Sequence, residues 1–381
     1  KDEGFHRFRQ KIAIPFRVAG FEKRFPCLLF LMCVVFGFQI YIIYYCRLKC
    51  WVFFHTFVIQ SGQMAITKNR GDRPTRFGFG EGVRDAAQCN SSVVGLGVDI
   101  TSSISMNLFA DAFPDRFYSL GIAEQNGVAV ASGLALTGLT PVFSTYAVFA
   151  TMRAADQIRV SVCYNNLHVV IGGAHAGISV GPDGATHQAL EDIAVMRVLP
   201  NMSVISPCDA TQARLATMYA INEHSGPVYI RFGREAVPDF TSEAYGFQFG
   251  KGQLMRDGSD VTIFATGHMV WHALRAAEQL ALQNINARVI NIHTIKPIDR
   301  EIIVKAGQET GAIVTAEEHQ VAGGFGSAIA EVLAEECPVP VEFVGVNNCF
   351  GESGQPEELM LKYGLSAENI VAKSLKVLAR K

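Results

Sequence analysis

Between Gly172 and Gln188 the chain reads GGAHAGISVGPDGATHQ, which places His175, Asp183 and His187 within thirteen positions. The glycines between them let backbone approach a ligand closely. The spacing does not suit a metal: there is no H-E-x-x-H and no cysteine nearby. Proton transfer or oxyanion binding is the more natural chemistry, because substrate hydroxyls and phosphates need groups of this kind. Read locally, His187 followed by Gln188 fits a capped helix start equally well. Glu124, in GIAEQN, opens a predicted apolar helix that contains no Lys or Arg. Buried there, it would have a raised pKa and serve as a proton donor; exposed, it would simply complement the helix dipole. Tyr146 and Phe149, three apart on a predicted helical face, fit either a stacking wall for a flat heterocycle or ordinary core.

The elements that must position these residues alternate apolar strands with helical stretches, the order of an α/β protein with mostly parallel sheets. The pattern predicts a helix over 77–88, a buried strand over Ser92–Val98 ending at Asp99, and an Ala/Gly-rich helix over Glu124–Leu136 suited to close packing. A short strand over Pro141–Ser144, a long helix over Ala147–Asn165 and a strand over Leu167–Ile171 follow. The Gly-rich loop thus leaves a strand's carboxyl end, where open α/β sheets place ligands. After strands at Val204–Ser206 and Val228–Arg231 the pattern loses regularity between Glu235 and Gly252, which reads as a domain boundary. A second, smaller α/β unit follows, with strands at Val261–Gly267, Ala287–Ile292 and Ala312–Glu318 and a helix at His272–Gln283.

Two weaker signals are set aside. Gly323–Ser327 lacks both the G-x-G-x-x-G spacing and a Walker lysine, and reads as a tight turn before a helix. Asn90-Ser91-Ser92 matches a glycosylation acceptor, which has no meaning in a cytoplasmic enzyme. With 33 basic against 35 acidic residues there is no excess positive charge to neutralise a phosphate backbone, which disfavours general nucleic-acid binding. Nine cysteines without a C-x-x-C pair argue against a zinc ribbon or dithiol redox centre and fit free thiols in a reducing compartment.

The balanced total hides a split. Residues 1–63 hold nine basic residues and three acids, and within them Cys27–Cys46 runs without a charge for the length of a membrane-spanning helix. The flanking charges would keep the N-terminus in the cytoplasm and send the rest across the membrane. The competing reading, which the normal soluble sequence opening at Met64 favours, is that 1–63 is foreign to the working protein, such as upstream sequence translated in frame.

RFYSLGIAEQNGVAVASGLALTGLTPVFSTYAVFATMRAADQIR, followed by the Gly-rich loop, ISPCDA and the text at Ile313–His319, resembles the C-terminal half of the transketolase family, from about Arg73 to the end. The resemblance implies two α/β domains, each a mostly parallel sheet flanked by helices: a pyrimidine-binding domain over 64–240 and a transketolase C-terminal domain over 253–381. It implies thiamine diphosphate as cofactor and a working site formed between chains. Glu124 matches the glutamate that bonds the cofactor's aminopyrimidine nitrogen, and Tyr146 and Phe149 match aromatic residues that pack on that ring. His187 and Asp183 match groups that handle the donor sugar's hydroxyls, and His175 a substrate-contacting histidine. Arg76, Ser103 and Arg234 fall near phosphate-binding positions, and Asp99 beside the cofactor site. Met152 stands where some members carry a further aromatic residue.

An absence is as informative. Members that work alone carry a G-D-G motif and a later pair of asparagines that hold the diphosphate through a divalent metal, and this chain has no G-D-G. Asp257-Gly258 with Asn284 and Asn286 only echoes it. No metal ligand is therefore expected here; Mg²⁺ or Ca²⁺ would belong to a partner. The resemblance implies the C-terminal subunit of a split transketolase, paired with a diphosphate-binding N-terminal subunit in a cytoplasmic heterotetramer and acting on sugar phosphates. The alternatives are half of a 1-deoxyxylulose-5-phosphate synthase-like enzyme, a decarboxylating dehydrogenase beta subunit, which the GPDGATHQ loop disfavours, and a non-catalytic partner-binding protein.

Overall fold

The computed structural model describes residues 68–381 and three strands upstream of them, Phe30–Phe36 (β1), Gln39–Tyr45 (β2) and Phe54–Val58 (β3). The chain divides into two units, Lys1–Ala65 and Ile66–Lys381. In the first, the three strands pair antiparallel in sequence order. Where it is described, the Cys27–Cys46 run is therefore extended rather than one helix, in keeping with β-branched residues such as Val34, Val35, Ile42 and Ile43; its ends lie outside the described residues. Among the described residues no helix is long and apolar enough to cross a membrane.

The second unit holds two domains. The first is closed at its ends by a ribbon of Asp72–Pro74 (β4) and Ala236–Pro238 (β11). Between them Val93–Gly97 (β5), Phe117–Ser119 (β6), Thr140–Tyr146 (β7), Val170–Ala174 (β8), Ser203–Ile205 (β9) and Val228–Arg231 (β10) form a parallel sheet in the order β9-β10-β8-β7-β5-β6. Strands β5, β8, β9 and β10 are buried along their whole length, as expected when helices cover both faces of a parallel sheet. The second domain orders Gln253–Arg256 (β12), Val261–Ala265 (β13), Ala287–Asn291 (β14), Ile313–Gln320 (β16) and Val341–Val346 (β17) as β12-β14-β13-β16-β17, with only β12 antiparallel. Thr294–Lys296 (β15) leaves this domain's sheet and pairs antiparallel with β9, so the second domain supplies the seventh strand of the first domain's sheet.

The helix Glu124–Leu136 uses its small residues as the sequence suggests: Gly127, Val128 and Ala131 are buried. A Cβ on Gly127 would lie 2.5 Å from the Phe143 ring, so only glycine lets the helix seat against β7. That core continues through Ile171, Val204 and Tyr229 to Ile290, Ile292 and Ile295 of the second domain. The other face of the sheet packs Phe79, Phe109, Val142 and Ile230. One expected element differs. The stretch Ala147–Asn165 is not a single regular helix but carries wide, π-helical turns at Phe149–Arg153 and Ile158–Cys163, a distortion that often accompanies a functional site.

Buried charge joins the domains. Arg231 on β10 donates to Asp192 Oδ2 at 2.9 Å and, across the seam, to the backbone oxygen of Glu318 at 2.7 Å. Tyr229 donates to the same Asp192 oxygen at 2.8 Å. Glu317 accepts from the Phe325 and Gly326 amides at 2.6 and 2.7 Å, filling the N-terminus of the helix Phe325–Glu336. The Gly323–Ser327 turn is therefore capped by the protein's own carboxyl group, in agreement with the tight-turn reading. Burial pushes Glu317 up to about 7, against the opposing pull of its two amide bonds and Arg231.

Two measurements follow. Truncating Phe143 to Ala should cost about 3–5 kcal/mol in chemical denaturation, because the pocket between β7 and the helix cannot collapse onto the missing ring; a loss under about 1 kcal/mol would contradict this packing. Burial lowers His175 to about 3 and His293 and His319 to about 4, against about 6.5 in an unfolded chain. Below pH ~6.5 the unfolded chain therefore binds protons that the folded one refuses, and stability falls with pH. His272, lowered by burial to about 4, adds a fourth imidazole to this balance, while the raised carboxyls of Glu317, Glu191 and Asp209 work the other way. The thermal midpoint should drop between pH 6.5 and 4.5; a flat or rising midpoint would rule out neutral buried imidazoles.

Candidate active site

The carboxyl ends of β5, β7 and β8 gather the residues singled out in the sequence. Glu124 is the first residue of its helix and is buried at 3% exposure, so it is not an exposed dipole partner. Nor is it without a partner: Arg153, from the π-helical segment, donates to its Oε1 at 2.8 Å. No signal inside the Glu124 helix points to this pair, because the cation arrives from a neighbouring element. The Arg153 guanidinium also lies over the Phe149 ring, 4.2 Å from its centroid. A planar N–H donor is thus seated between an aromatic face and a buried carboxylate.

Tyr146 and Phe149 do not share a helical face. Tyr146 ends β7 and Phe149 begins the π-helical turn, yet their rings are 5.9 Å apart. His187 meets both edge-on, at 5.8 and 5.3 Å between centroids, and the His175 ring lies 4.2 Å from that of Tyr146. Met152, three residues after Phe149 in the π-helical turn, is 47% exposed.

His175 follows β8 directly and adopts φ 54°, a left-handed conformation uncommon for a side-chain-bearing residue and often associated with function. Its Nε2 lies 3.4 Å from Ser103 Oγ, which is itself 3.0 Å from the Tyr146 hydroxyl. Its Nδ1 is buried without a hydrogen-bond partner. Burial lowers the imidazole to about 3, reinforced by Arg76, Arg234 and His187, so it is neutral at physiological pH and ready to exchange one hydrogen bond.

Arg76 donates to the Ser103 carbonyl at 2.6 Å, and Arg234 donates to Asp183 Oδ1 and the Val180 carbonyl, both at 3.2 Å. Burial, and next the charge of Arg234, lower the Arg76 guanidinium. His187 lies beyond a turn of 3₁₀ helix, Ile178–Asp183, and does not start a helix; the next one begins at Asp192. The loop therefore presents its groups to the site instead of capping.

Glu124, Arg153, Phe149, Tyr146, His187, His175, Ser103 and Arg76 form one unbroken chain of contacts, with Arg234 and Asp183 beside it. Asp99 stands apart: it sits after β5 at φ 69°, exposed, and makes none of these contacts. Asn90, in the glycosylation-like triplet, has its side chain engaged, accepting from the Ser92 amide and hydroxyl and donating to Asn222 Oδ1 at 3.1 Å. Asp257 is likewise engaged locally, by Arg288 at 3.0 Å and by the Gly258 amide. Among the described residues no three His, Cys, Asp or Glu side chains converge as a metal site requires.

Comparison with known proteins agrees with this architecture. Residues 72–239 match the family model for the transketolase pyrimidine-binding domain and residues 250–370 that for the transketolase C-terminal domain. The chain is similar to the 6-deoxy-6-sulfo-D-fructose transketolase subunit SqwH of Clostridium sp. (strain MSTE9), 44% identical over 77% of this chain and 91% of that protein. It is 38% identical to an apulose-4-phosphate transketolase subunit of Phocaeicola vulgatus (strain ATCC 8482), over 79% of this chain and 96% of that one. A solved split-gene transketolase, described as an inactive β4 tetramer, superposes with a TM-score of 0.76 at 49% identity, covering 80% of this chain and 98% of that one. The chain belongs to the transketolase family, a thiamine diphosphate-dependent family, and carries its pyrimidine-binding and C-terminal domains.

Proposed function

We propose that this chain is the C-terminal subunit of a split transketolase, moving a two-carbon ketol unit from a ketose phosphate to an aldose phosphate. The observation that carries the reading is the seat formed by Glu124 and Phe149, where a planar N–H donor already lies. An aminopyrimidine asks for the same two contacts, so the residues fit thiamine diphosphate, with Arg153 yielding its place. When bound, the cofactor supplies the nucleophilic carbon and takes up the electrons of the broken carbon–carbon bond.

The chain's own residues do the rest. Glu124 holds a proton at the aminopyrimidine nitrogen, while Phe149 and Tyr146 pack on the ring; Asp99 borders the cofactor more loosely. Neutral His175 offers one hydrogen bond to a substrate oxygen. His187 and Asp183 bind the sugar hydroxyls and move their protons. Arg76, Arg234 and Ser103 receive the phosphate, Arg being suited to bidentate contact with its oxygens.

The diphosphate and its Mg²⁺ or Ca²⁺ fall to an N-terminal partner subunit, because this chain lacks the G-D-G motif. Exposed apolar side chains on the segments beside Glu124, namely Ile122, Leu136, Val160 and Tyr164, suit a face covered by another subunit. We assign the working unit to 64–240 and 253–381, acting in a cytoplasmic heterotetramer where pentose phosphates are available. On this reading residues 1–63 are not part of the mature subunit. An intact mass of the native protein that includes them would overturn that assignment.

Turnover of xylulose 5-phosphate with ribose 5-phosphate should require both this chain and the N-terminal subunit, together with Mg²⁺ and thiamine diphosphate. Activity of this chain alone would refute the division of labour. Use of pyruvate instead of the ketose would favour the deoxyxylulose-phosphate synthase reading. In the reconstituted pair, Glu124→Ala should lower kcat by roughly 10²–10⁴-fold, and undiminished turnover at saturating cofactor would sink its assigned role.

A further inference from the structure

The second domain contributes no side chain to the contact chain that begins at Glu124, yet it grips the loop bearing Asp183 and His187 from below. Glu318, near the end of β16 and 5% exposed, accepts the Ser179 amide at 2.6 Å through Oε1. Its Oε2 lies 3.4 Å from His268 Nδ1. The fit is close: a Cβ on Gly177, whose φ is +94°, would lie 2.2–2.4 Å from the Glu318 carboxyl atoms. The loop therefore rests directly on this carboxyl group.

The other end of the loop is pinned too. Gln188 Nε2 donates to the Ile178 carbonyl at 3.1 Å and, across the domain boundary, to the Glu352 carbonyl at 2.9 Å. The Gly177 amide donates to the Ala189 carbonyl at 2.9 Å, and the Gln320 amide to the Leu190 carbonyl at 2.8 Å. Arg231 completes the clamp by donating to the carbonyls of both Ala189 and Glu318. Asp183 and His187 stand between pins at 177–179 and 188–190, Asp183 four residues after Ser179 and His187 next to Gln188.

We propose that Glu318 is a positioning residue: by holding the Ser179 amide it sets where Asp183 and His187 stand, and so makes domain docking a condition of catalysis. This rests on the ketol-transfer reading. The physical basis is that a displacement of about 1 Å in a proton-handling group can cost on the order of a hundredfold in rate, while a buried amide left without its acceptor is driven to find another conformation.

The test uses the full chain reconstituted with its N-terminal subunit. Glu318→Ala should lower kcat about tenfold or more with the KM for thiamine diphosphate nearly unchanged. Glu318→Gln, whose amide oxygen still accepts from Ser179, should restore most of kcat. Val377→Ala, a buried truncation on the helix Ala367–Leu378, serves as a control that lowers the thermal midpoint and leaves kcat intact. Hydrogen exchange of peptides spanning 176–189, measured on the chain without substrate or partner, should quicken in Glu318→Ala but not in Val377→Ala.

Full kcat in Glu318→Ala, or equal loss of kcat in the control at an equal midpoint, would reduce Glu318 to a stabilising residue. Should the wild-type pair transfer no ketol unit, the functional reading falls, and the exchange measurement still decides this one: unchanged exchange in 176–189 overturns it.

Discussion

The guanidinium of Arg231 is 6% exposed, and a charge buried to that degree persists only if acceptors surround it. It finds them in both domains at once: Asp192 and the Ala189 carbonyl on one side, the Glu318 carbonyl on the other. The two domains cannot separate without exposing Arg231 and Asp192 on one side and leaving Glu317 and His319 without their packing on the other. β15 adds a backbone constraint to this electrostatic one, since it belongs to the second domain in sequence and to the first domain's sheet in space. The seam is thus bridged by buried polar groups, with the Arg231 bond to the Glu318 carbonyl at its centre, and flanked by a continuous apolar core.

That seam explains how a Gly-rich loop can present chemistry. A segment such as GGAHAGISVGPDGATHQ has little side chain with which to pack and would gain much entropy by moving. Its order comes from beneath, where Glu318, Gln188 and Arg231 satisfy backbone groups at both of its ends. Above, its own His175 and His187 rings meet the aromatic wall of Tyr146 and Phe149. The site lies outside the carboxyl ends of β5, β7 and β8, where the strands of a parallel sheet release their loops together.

Electrostatics within the site are equally local. Burial, reinforced by the nearby charges of Arg76 and Arg234, holds His175 neutral. A neutral imidazole with one unpartnered nitrogen is a hydrogen-bonding device, whereas a charged one in the same place would compete with the arginines for an anion. Glu124 is balanced differently, by a single cation that reaches it from the π-helical turn.

Much of this was legible in the residues themselves. The 2.0 and 3.6 periodicities marked most strands and helices, because burial of one face imposes those periods whatever the rest of the chain does. The motif text around Glu124 and Gly172–Gln188 identified the family, because the chemistry demands particular residues at particular spacings. Three things needed the tertiary structure. The break in the Ala147–Asn165 helix places Arg153 against Phe149 and against Glu124 of another helix, a meeting that the pattern of neither segment encodes. The transfer of β15 to the other domain's sheet is invisible in three residues whose own pattern is indistinguishable from a loop. The role of Glu318 beneath the loop arises only when two segments 139 positions apart meet. Sequence alone determined which elements form and which residues could do chemistry, since both follow from local pattern and residue type; only the fold decided which charges share a burial site and what holds the loop in place, since desolvation and hydrogen-bond partnership are properties of the packed chain.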